Sequence, residues 1–404
     1  MSEWKEVRLK DCCHSISDGD HLPPPKSDSG VPFVTIANID ATNHIDFGNT
    51  MFVPYEYYNN LNDIRKAKFN DILYSVVGSF GKPVLIKENK PFAFQRHIAI
   101  LRPNHEIVDS RFLYYVMLSR DFYMQADTVA IGAAQRTISL TALRNMEVEL
   151  PSMEIQHRIA TILSRYDSLI ENYQKQIKLL EEAAQRLYKE WFVDLRFPGH
   201  ENTNIVDGVP EGWEKKKISD VCETVGGGTP STKVPAYYKG GRIKWVTPTD
   251  ITRNNCICLL DTDKKITEEG LRNSSTKMVP AGTILMTSRA SVGYFGIADF
   301  EVCTNQGFIS CIPIPNMQMY LLFNLMSRVD EIRQKAGGST YLEISKSVFR
   351  NFDIVCPSEI ILLQFQDKAS LVLKKEKTLS LQLRLLTEAR DRLLPKLMSG
   401  EITV

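Results

Sequence analysis

The sequence predicts an α+β fold with two similar mixed α/β globular domains, separated by two long helices that form an antiparallel coiled coil with a pseudo-twofold internal repeat. Three observations predict this fold. The chain repeats itself, short apolar runs typical of strands fill the first part of each repeat, and a heptad pattern fills the second part. The predicted boundaries are globular domain 1 at 1–151, helix 1 at 152–196, a linker at 197–212, globular domain 2 at 213–357, helix 2 at 358–398 and a C-terminal tail at 399–404.

The internal repeat runs through the whole chain in unbroken order. The matched segments, 206 to 212 positions apart, are 4–13 with 213–222, Val34-Thr35 with Val246-Thr247, Ile138-Ser139 with Ile344-Ser345, and Leu179-Leu180 with Leu385-Leu386. A repeat of this length indicates a duplicated domain rather than a solenoid unit of about 20–50 residues. Two similar modules can present two similar surfaces to one pseudo-symmetric partner, and long double-stranded DNA is such a partner.

Composition narrows the class of protein. The 404 residues are 43% hydrophobic and 24% charged, which is ordinary for a soluble chain of two or three domains. The net charge of +1 excludes a protein that binds nucleic acid through a large overall positive charge, although local basic patches can still bind it. The eight cysteines form no C-x-x-C pair, so reduced thiols are expected. The sequence shows no signal peptide and no apolar run of about 20 residues, which predicts a cytoplasmic protein without membrane association.

The globular parts alternate apolar runs with clusters of Gly, Pro and Asn, a pattern typical of strands and turns. The predicted strands are Pro32–Ile36, Asp71–Val77, Ile98–Leu101, Ile243–Val246, Thr283–Met286 and Phe308–Ile312. The segments Phe112–Tyr123 and Met319–Lys335 are predicted as helices.

The first long helix carries a heptad seam in which apolar residues step by three or four without a break. The seam is Ile159, Leu163, Tyr166, Ile170, Tyr173, Ile177, Leu180, Ala184, Leu187 and Trp191. Pro151-Ser152 precedes this helix and Phe197-Pro198-Gly199 ends it, which are ordinary start and stop signals. The 38 residues from Ile155 to Phe192 predict a rod about 57 Å long.

The second long helix repeats this seam 206 positions later, with two polar exceptions. The corresponding residues are Phe365, Ala369, Val372, Glu376, Leu379, Leu383, Leu386, Arg390, Leu393 and Leu397. Two helices with matching seams are expected to pair with each other. The alternative is that each seam packs against its own globular domain.

The sequence contains no complete catalytic motif. The loop Gly226–Ser231 lacks the Lys-Ser/Thr that a phosphate-binding loop needs, and the histidines have no metal-ligand spacing. The enzyme alternative is a stand-alone Mg²⁺-dependent nuclease that would use Asp71, Glu88 and Lys90. The weakness of this alternative is that Glu-x-Lys recurs by chance and that Thr283 replaces Asp71 in the second repeat. No metal or cofactor site is predicted in this chain.

Polar loop residues suited to reading DNA grooves recur at corresponding places in the two repeats. Arg favours guanine and Asn or Gln favours adenine in the major groove, whereas Lys, Ser and Thr hold phosphates. Each residue taken singly is also an ordinary surface-loop residue. The predicted DNA-binding residues are Gln95, Arg96, Gln135, Arg136, Thr229, Ser231, Lys233, Thr249, Ser288, Arg289, Ser291, Asn305, Gln306, Ser339 and Thr340.

Several motifs of this chain resemble those of the DNA-specificity subunits of type I restriction–modification systems. One opening motif is Asp18-Gly19-Asp20-His21 and another is Gly227-Gly228-Thr229-Pro230-Ser231, followed by Ile243–Thr247. Leu150-Pro151 is similar to the strand-to-helix junction of the family. The most specific stretch is Ala389–Ile402 near the C-terminus; the first helix differs there, with Tyr188–Trp191 in place of Leu-Pro-Lys-Leu.

The resemblance implies a non-catalytic DNA-binding subunit with two target-recognition domains, each reading half of a bipartite asymmetric target. It implies that the helices set the spacing and dock two methyltransferase subunits, which use S-adenosylmethionine to methylate adenine. It leaves open whether two restriction subunits, which use ATP and Mg²⁺, join the complex. The alternatives are the nuclease and a coiled-coil interaction scaffold without a DNA role.

Overall fold

The computed structural model describes residues 4–21, 23–40, 42–133, 135–254, 256–338 and 341–404. The chain forms two compact units. The first runs to Leu169 and resumes at Leu386–Val404, and the second is Ile170–Leu385. Each unit therefore contains one globular part and a segment of both long helices.

The first unit combines nine strands with five short helices in its described residues. The strands are Lys5–Arg8 (β1), Cys13–Asp18 (β2), Val31–Val34 (β3), Met51–Val53 (β4), Ile72–Ser75 (β5), Pro83–Leu85 (β6), Ala93–Phe94 (β7), Ile98–Pro103 (β8) and Glu147–Leu150 (β9). The helices are Leu9–Cys12 (α1), Tyr55–Asn60 (α2), Ser110–Leu118 (α3), Arg120–Val129 (α4) and Leu140–Asn145 (α5), with 3₁₀ turns at Ile36–Asn38 and Asp63–Arg65.

Strand β5 lies inside the first unit and is buried on both faces. It belongs to an antiparallel sheet of order β2-β8-β5-β6. Because side chains alternate along a strand, Ile72 and Tyr74 pack towards Phe112 of α3, whereas Leu73 packs towards the opposite core. That core also contains Phe94 of the second sheet, which has the order β4-β3-β7 and pairs β3 parallel to β7. A small β1-β9 pair ends the domain just before the first long helix.

The two long helices are Met153–Tyr188 (α6), continued by a π-helical turn at Lys189–Val193, and Glu359–Met398 (α13). Each begins directly after a Pro-Ser pair, where the carbonyls of Ser152 and Ser358 accept hydrogen bonds from the fourth following residue at 3.0 Å.

The second unit repeats this plan. Its strands are Ile205–Val206 (β10), Val209–Pro210 (β11), Glu214–Lys217 (β12), Cys222–Gly226 (β13), Ile243–Val246 (β14), Cys258–Leu259 (β15), Lys264–Ile266 (β16), Met278–Val279 (β17), Ile284–Thr287 (β18), Phe295–Ala298 (β19), Val302–Thr304 (β20), Phe308–Pro313 (β21) and Asp353–Cys356 (β22). Its short helices are Ile218–Val221 (α7), Pro248–Thr252 (α8), Glu268–Arg272 (α9), Gln318–Ser327 (α10), Val329–Lys335 (α11) and Lys346–Arg350 (α12), with 3₁₀ turns at His200–Asn202 and Pro235–Tyr237.

The sheets of the second unit correspond to those of the first. The order β13-β21-β18-β19-β15 matches β2-β8-β5-β6 with one strand added, and β16-β14-β20-β17 again contains a parallel pair, β14 with β20. Strand β18 alternates like β5: Leu285 packs with Val246 and Phe308, whereas Ile284 and Met286 face the opposite core. Strands β12 and β22 pair as β1 and β9 do.

Each of the six predicted strands overlaps an observed strand, and both predicted helical segments are helical but interrupted. Each is broken into two helices. Ser119 is extended (φ −66°, ψ 152°) between α3 and α4, and its hydroxyl accepts the N–H of Phe122, so it caps a new helix. Arg328 (φ −112°, ψ 19°) leaves the helical region between α10 and α11 without a side-chain cap. The apolar periodicity carries across both breaks, which is why the sequence alone did not reveal them.

The two long helices pair within each unit. In the first unit Ile159 and Leu163 of α6 share a core with Leu397 of α13, and Arg390 donates to Asp167 at 2.8 Å. In these contacts the residue numbers decrease along α13 as they increase along α6, so the two helices are antiparallel. In the second unit the ring of Phe365 lies 6.0 Å from Trp191.

The predicted seam residues are all buried or half-buried. Ile159, Leu163, Ile170, Ile177, Trp191, Leu379 and Leu397 are buried, and Tyr166, Tyr173, Leu180, Leu187, Leu383, Leu386 and Leu393 are half-buried. The π-helical turn shifts the register at the end of α6, since the Asp194 N–H bonds to the carbonyl of Lys189, five residues back.

The predicted linker contains ordered structure. Strands β10 and β11 form a hairpin whose turn residues Asp207 (φ 50°) and Gly208 (φ 74°) are both left-handed, as Asp-Gly turns of two-residue hairpins require. Phe197 and Trp213 pack together at 4.9 Å between ring centroids. Each of the eight cysteines is a free thiol. Within the described residues, none of the helices has the length and apolar character needed to cross a membrane.

Candidate nucleic-acid interface

Each unit holds one loop in place with a buried hydroxyl at the end of its central strand. In the first unit Ser75 donates to the carbonyl of Ser79 at 2.9 Å and accepts the N–H of Lys82 at 2.9 Å. In the second unit Thr287 donates to the carbonyl of Ser291 and accepts the N–H of Tyr294 at 2.9 Å. We name residues 76–82 and 288–294 the hydroxyl-held loops.

The two hydroxyl-held loops share one backbone conformation. Gly78 (φ 69°) and Ala290 (φ 61°) are left-handed at the same position, and Gly81 (φ 91°) and Gly293 (φ 86°) are left-handed three residues later. A left-handed alanine is uncommon and costs roughly 1 kcal/mol. The surrounding bonds therefore impose this conformation on the second loop.

A second loop packs against each hydroxyl-held loop through the same backbone hydrogen bonds in both units. These neighbouring loops are residues 131–138 and 337–344, of which Ala134, Ser339 and Thr340 lie outside the described residues. In the first unit the N–H of Gly78 donates to the carbonyl of Arg136 (2.9 Å), and the N–H of Ile138 donates to the carbonyl of Val76 (2.8 Å). In the second unit the N–H of Ala290 donates to the carbonyl of Leu342 (2.8 Å), and the N–H of Ile344 donates to the carbonyl of Ser288 (3.0 Å).

A tight turn completes the framework of each unit. It joins β7 to β8 at Gln95–His97 and β20 to β21 at Asn305–Gly307. The turn is tied on both sides by backbone bonds. In the first unit the N–H of Gln95 donates to the carbonyl of Val34 (3.1 Å), and the N–H of Val76 donates to the carbonyl of His97 (2.9 Å). In the second unit the N–H of Asn305 donates to the carbonyl of Val246 (2.9 Å), and the N–H of Ser288 donates to the carbonyl of Gly307 (2.7 Å).

The opening motif of each domain passes directly over this turn. A Cβ atom added at Gly19 would lie 2.1 Å from the carbonyl oxygen of Phe94, and one added at Gly227 would lie 1.9 Å from that of Asn305. Only glycine permits this approach of two backbones. In the second unit the indole N–H of Trp245 also donates to the carbonyl of Gly228 at 3.0 Å.

In the first unit two predicted DNA-binding residues share a cleft of about 330 Å³. Arg96 and Gln135 line it together with Asp18, His97 and apolar side chains of Val76, Val77, Ile138 and Leu140. Both predicted residues are exposed. Asp18 was not among the predicted residues, and its position in the opening motif was the available signal. Its carboxylate lies 2.8 Å from Nε2 of His21.

Arg136 has intramolecular contacts that favour a structural role. Its guanidinium pairs with the carboxylate of Asp127 and donates to the carbonyl of Ala130 at 3.3 Å. It also lies 5.4 Å from the ring centre of Phe80. These bonds close the C-terminal end of α4, where a cation is favourable. Gln95 is half-buried in the turn.

In the second unit the structure brings Thr229 and Gln306 together. The hydroxyl of Thr229 donates to the side-chain oxygen of Gln306, and both residues are exposed. Ser231 and Lys233 are exposed a few residues further along the opening motif, and Thr249 is exposed on α8.

Other predicted residues of the second unit are committed to the framework. Ser288 is 3% exposed, so its side chain is not available to a ligand; it is buried because its backbone bonds both the turn and the neighbouring loop. Asn305 accepts the N–H of Gly307 at 2.8 Å through its side chain and so shapes the turn. Arg289 is exposed and lies 3.6 Å from the carboxylate of Glu343, and Ser291 is exposed. The predicted Ser339 and Thr340 lie outside the described residues.

The residues of the nuclease alternative are not assembled for metal chemistry. Asp71 is 2% exposed and accepts three bonds from the guanidinium of Arg102, at 2.9 to 3.3 Å. Lys90 lies over the ring of Phe47 at 3.9 Å, and Glu88 is exposed. Among the described residues no group of three or more His, Cys, Asp and Glu side chains is placed to hold a metal ion.

Two carboxylates on the helix pair hold the β15 edge of the second unit. Glu181 of α6 accepts the N–H of Ile257, and Glu376 of α13 accepts the N–H of Cys258, both at 2.8 Å. Burial, and then the charge of Glu181, raise the pKa of Glu376 to about 7, although the Cys258 N–H opposes the shift. Burial also raises the pKa of Glu181. The break in the apolar seam at Glu376 was the sequence signal for this contact.

Comparisons with known proteins agree with this architecture. The family model for the type I restriction modification DNA specificity domain matches residues 1–182 and again 210–370. The chain is 26% identical, over the full length of both proteins, to the type I restriction enzyme HindI specificity subunit of Haemophilus influenzae. It is 39% identical over 153 residues to the MjaIX specificity subunit of Methanocaldococcus jannaschii, a match that covers 37% of this chain and about a third (35%) of the relative.

A solved structure supports the fold. The crystal structure of a type I restriction–modification S subunit from M. genitalium superposes with a TM-score of 0.63, covering 98% of this chain and 96% of that one at 17% identity. The family model accounts for most of the chain, and each of its two matches contains one of the globular parts that share one loop framework. The chain therefore belongs to the type I restriction–modification DNA specificity family and is a sequence-recognition subunit that carries the specificity domain twice.

Proposed function

We propose that the two globular domains each read one half of a bipartite, asymmetric DNA target. The observation that carries this proposal is that both units build the same framework of hydroxyl-held loop, neighbouring loop and turn, but place different side chains on it. A shared framework supports a shared mode of docking on the duplex. Different outward side chains support different half-site sequences, because base edges are read by side chains in the groove.

The chain supplies no chemistry of its own in this proposal. S-adenosylmethionine would bind to methyltransferase partners, and ATP with Mg²⁺ to restriction subunits where these join. The bond network around Asp71 supports this assignment, because it gives that carboxylate a structural partner in Arg102. The near-neutral net charge of +1 also supports a complex in which partner subunits provide part of the DNA clamp.

The helix pair would set the gap between the half-sites. A rod of about 57 Å covers at most about 17 base pairs at ~3.4 Å each. Insertion of one heptad between Lys178 and Leu179, with a matching heptad between Arg384 and Leu385, keeps the seam in phase. The lengthened subunit, assembled with its partners, should recognise a longer gap between unchanged half-sites, as mapped by sequencing methylated DNA.

The matched control inserts the same two heptads into the linker 197–212, which lengthens the chain without lengthening the helix pair. This control should retain the original gap. A lengthened helix pair that still methylates the original target would remove the spacing role. A wild-type complex with a perfectly palindromic target would remove the asymmetric two-part target.

The helices would also dock two methyltransferase subunits. Leu179 of α6 and Leu385 of α13 occupy the same position in the repeat, and their side chains are 51% and 60% exposed. Two equivalent exposed leucines support two equivalent docking sites. Leu179→Lys alone should change the assembly from two bound methyltransferase subunits to one, measured by the mass of the complex in solution. Leu179→Met is the control and should retain two.

The alternative of a coiled-coil scaffold without a DNA role makes a different prediction. A binding selection on random duplexes, performed with the assembled complex, should enrich one two-part sequence. Enrichment of no sequence, with the complex intact, would favour the scaffold.

A further inference from the structure

The tight turn in each unit presents one exposed side chain at the same position. Arg96 follows the half-buried Gln95, and Gln306 follows the half-buried Asn305. The residue before each is bound to β3 or β14, and the residue after each accepts a bond from the hydroxyl-held loop. The two turns therefore fix equivalent backbone positions that carry arginine in one unit and glutamine in the other.

Both side chains are available to a ligand. Arg96 has no hydrogen-bond or ion-pair partner for its guanidinium within the described part of the chain, and it opens onto the cleft that it shares with Gln135. Gln306 uses one lone pair of its amide oxygen for the Thr229 hydroxyl, which leaves the second lone pair and the amide N–H₂ group free. The remaining functional groups form a two-donor fork in the first unit and a donor–acceptor pair in the second.

We propose that this turn position selects the base in each half-site: Arg96 reads a guanine in the half-site of the first domain, and Gln306 reads an adenine in that of the second. The inference rests on the proposed function. Guanine presents two acceptors, N7 and O6, to the major groove, which match the arginine fork. Adenine presents an acceptor and a donor, N7 and N6–H₂, which match the glutamine amide.

The position of these residues on a fixed turn strengthens the selection. A side chain that projects from a rigid backbone loses less conformational freedom on binding than a side chain on a mobile loop. Arg289, in contrast, is already paired with Glu343, so it must exchange that ion pair for a base contact. Arg136 would likewise have to leave Asp127.

The test is a reciprocal exchange in the assembled complex. Arg96→Gln should convert one guanine of the first half-site to adenine, and Gln306→Arg should convert one adenine of the second half-site to guanine. The preference at each position should shift roughly 10- to 100-fold between the two bases, with the other half-site and the gap unchanged. The readout is a selection on duplexes in which each half-site is randomised in turn.

Two further variants make the result decisive. Arg96→Lys retains the charge but not the fork, so it should weaken the guanine preference; a preference retained in full would overturn the inference. Arg186→Gln, an exposed change on α6, should leave all base preferences unaltered. A uniform loss of affinity for all sequences, with a salt slope smaller by about one unit, would show a phosphate contact instead and would also overturn it.

The failure of this inference is distinguishable from the failure of the proposed function. If the wild-type complex selects no two-part sequence, the proposed function fails. If the wild-type complex selects such a sequence and neither exchange alters a base, with assembly and melting temperature intact, only the assignment of Arg96 and Gln306 fails.

Discussion

The two globular parts of the chain share one loop framework but place different side chains on it. Both fix a loop with a buried hydroxyl, Ser75 in the first and Thr287 in the second, and both tie the neighbouring loop and turn through equivalent backbone bonds. The side chains that point outwards from this framework differ. Because the framework is held by backbone groups and one hydroxyl, its outward residues can change without altering its geometry.

The two domains also differ at one buried polar position, which is Asp71 in the first domain and Thr283 in the second. Asp71 accepts the N–H of Lys68 and pairs with Arg102, whereas Thr283 at the same position donates its hydroxyl to the carbonyl of Pro280 at 2.7 Å. The same turn is thus closed by an ion pair in one unit and by a neutral hydrogen bond in the other. The first unit depends on a second charged residue and the second does not.

The largest expected effect comes from breaking this ion pair. Arg102→Ala should destabilise the first unit by about 3–5 kcal/mol, because it leaves the buried Asp71 carboxylate without its cation. Denaturant unfolding of the full chain, followed by hydrogen exchange of each unit, measures the loss. The control is Arg158→Ala, which removes an exposed pair with Glu154 and should cost less than about 1 kcal/mol. Equal losses for both variants would contradict the role of Arg102.

A smaller effect is expected from removing the loop hydroxyls. Thr287→Val leaves the N–H of Tyr294 and the carbonyl of Ser291 without a partner, and should cost about 1–3 kcal/mol. Ser75→Ala should have a similar cost in the first unit, which tests whether the two loops are equivalent. Hydrogen exchange at Lys82 and Tyr294 reports the release of each loop. Thr378→Val, an exposed change on α13, is the control; the same loss there would argue against a loop-specific role.

The third prediction concerns pH and belongs to the second unit. The folded-state pKa of Glu376, about 7, lies above its ordinary value of 4.5, so folding favours the protonated form. The stabilisation is complete below about pH 4.5 and is lost as the pH rises through about 7. The Glu376→Gln variant has no charge at this position at any pH, so it does not lose this stabilisation. The melting temperature of the variant minus that of the wild type should therefore be roughly 2 °C or more larger at about pH 8 than at about pH 6.

The pH experiment needs a carboxylate control. Glu190→Gln changes an exposed carboxylate near the end of the same helix pair and should give a difference that does not vary with pH. If the difference between wild type and Glu376→Gln also stays constant with pH, Glu376 does not change its protonation between about pH 6 and about pH 8 and the expectation is wrong.

The smallest effect on stability is expected at Arg289. Its contact with Glu343 is between half-exposed side chains, so Arg289→Ala should cost less than about 1 kcal/mol in folding. If Arg289 exchanges Glu343 for a base, the variant should lose preference at one position of the second half-site, in a selection with the assembled complex. Unchanged preference at each position, with normal folding, would remove Arg289 from the reading surface.

The repeat and the heptad seam determined the plan of the molecule from the sequence. The spacing of Trp4 and Trp213, and of Leu179 and Leu385, located two copies of one domain, and the seam from Ile159 to Trp191 located the first helix. Periodicity is a local property that burial enforces residue by residue, so it survives in the sequence. Gln306 was also selected from the sequence, because polar residues recur where strands end.

Only the tertiary structure decided which polar residues are free. Ser288 and Asn305 looked like Gln306 in the sequence. Ser288 is buried between the turn and the neighbouring loop, which its backbone bonds, and the side chain of Asn305 accepts the N–H of Gly307 within the turn. Arg136 and Arg96 are likewise the same residue type, but the guanidinium of Arg136 pairs with Asp127, whereas that of Arg96 has no ion pair within the described residues. The partners of these groups are far apart along the chain or separated by loops whose path periodicity does not encode. A hydrogen bond depends on distance and angle between both partners, so composition and spacing cannot determine it.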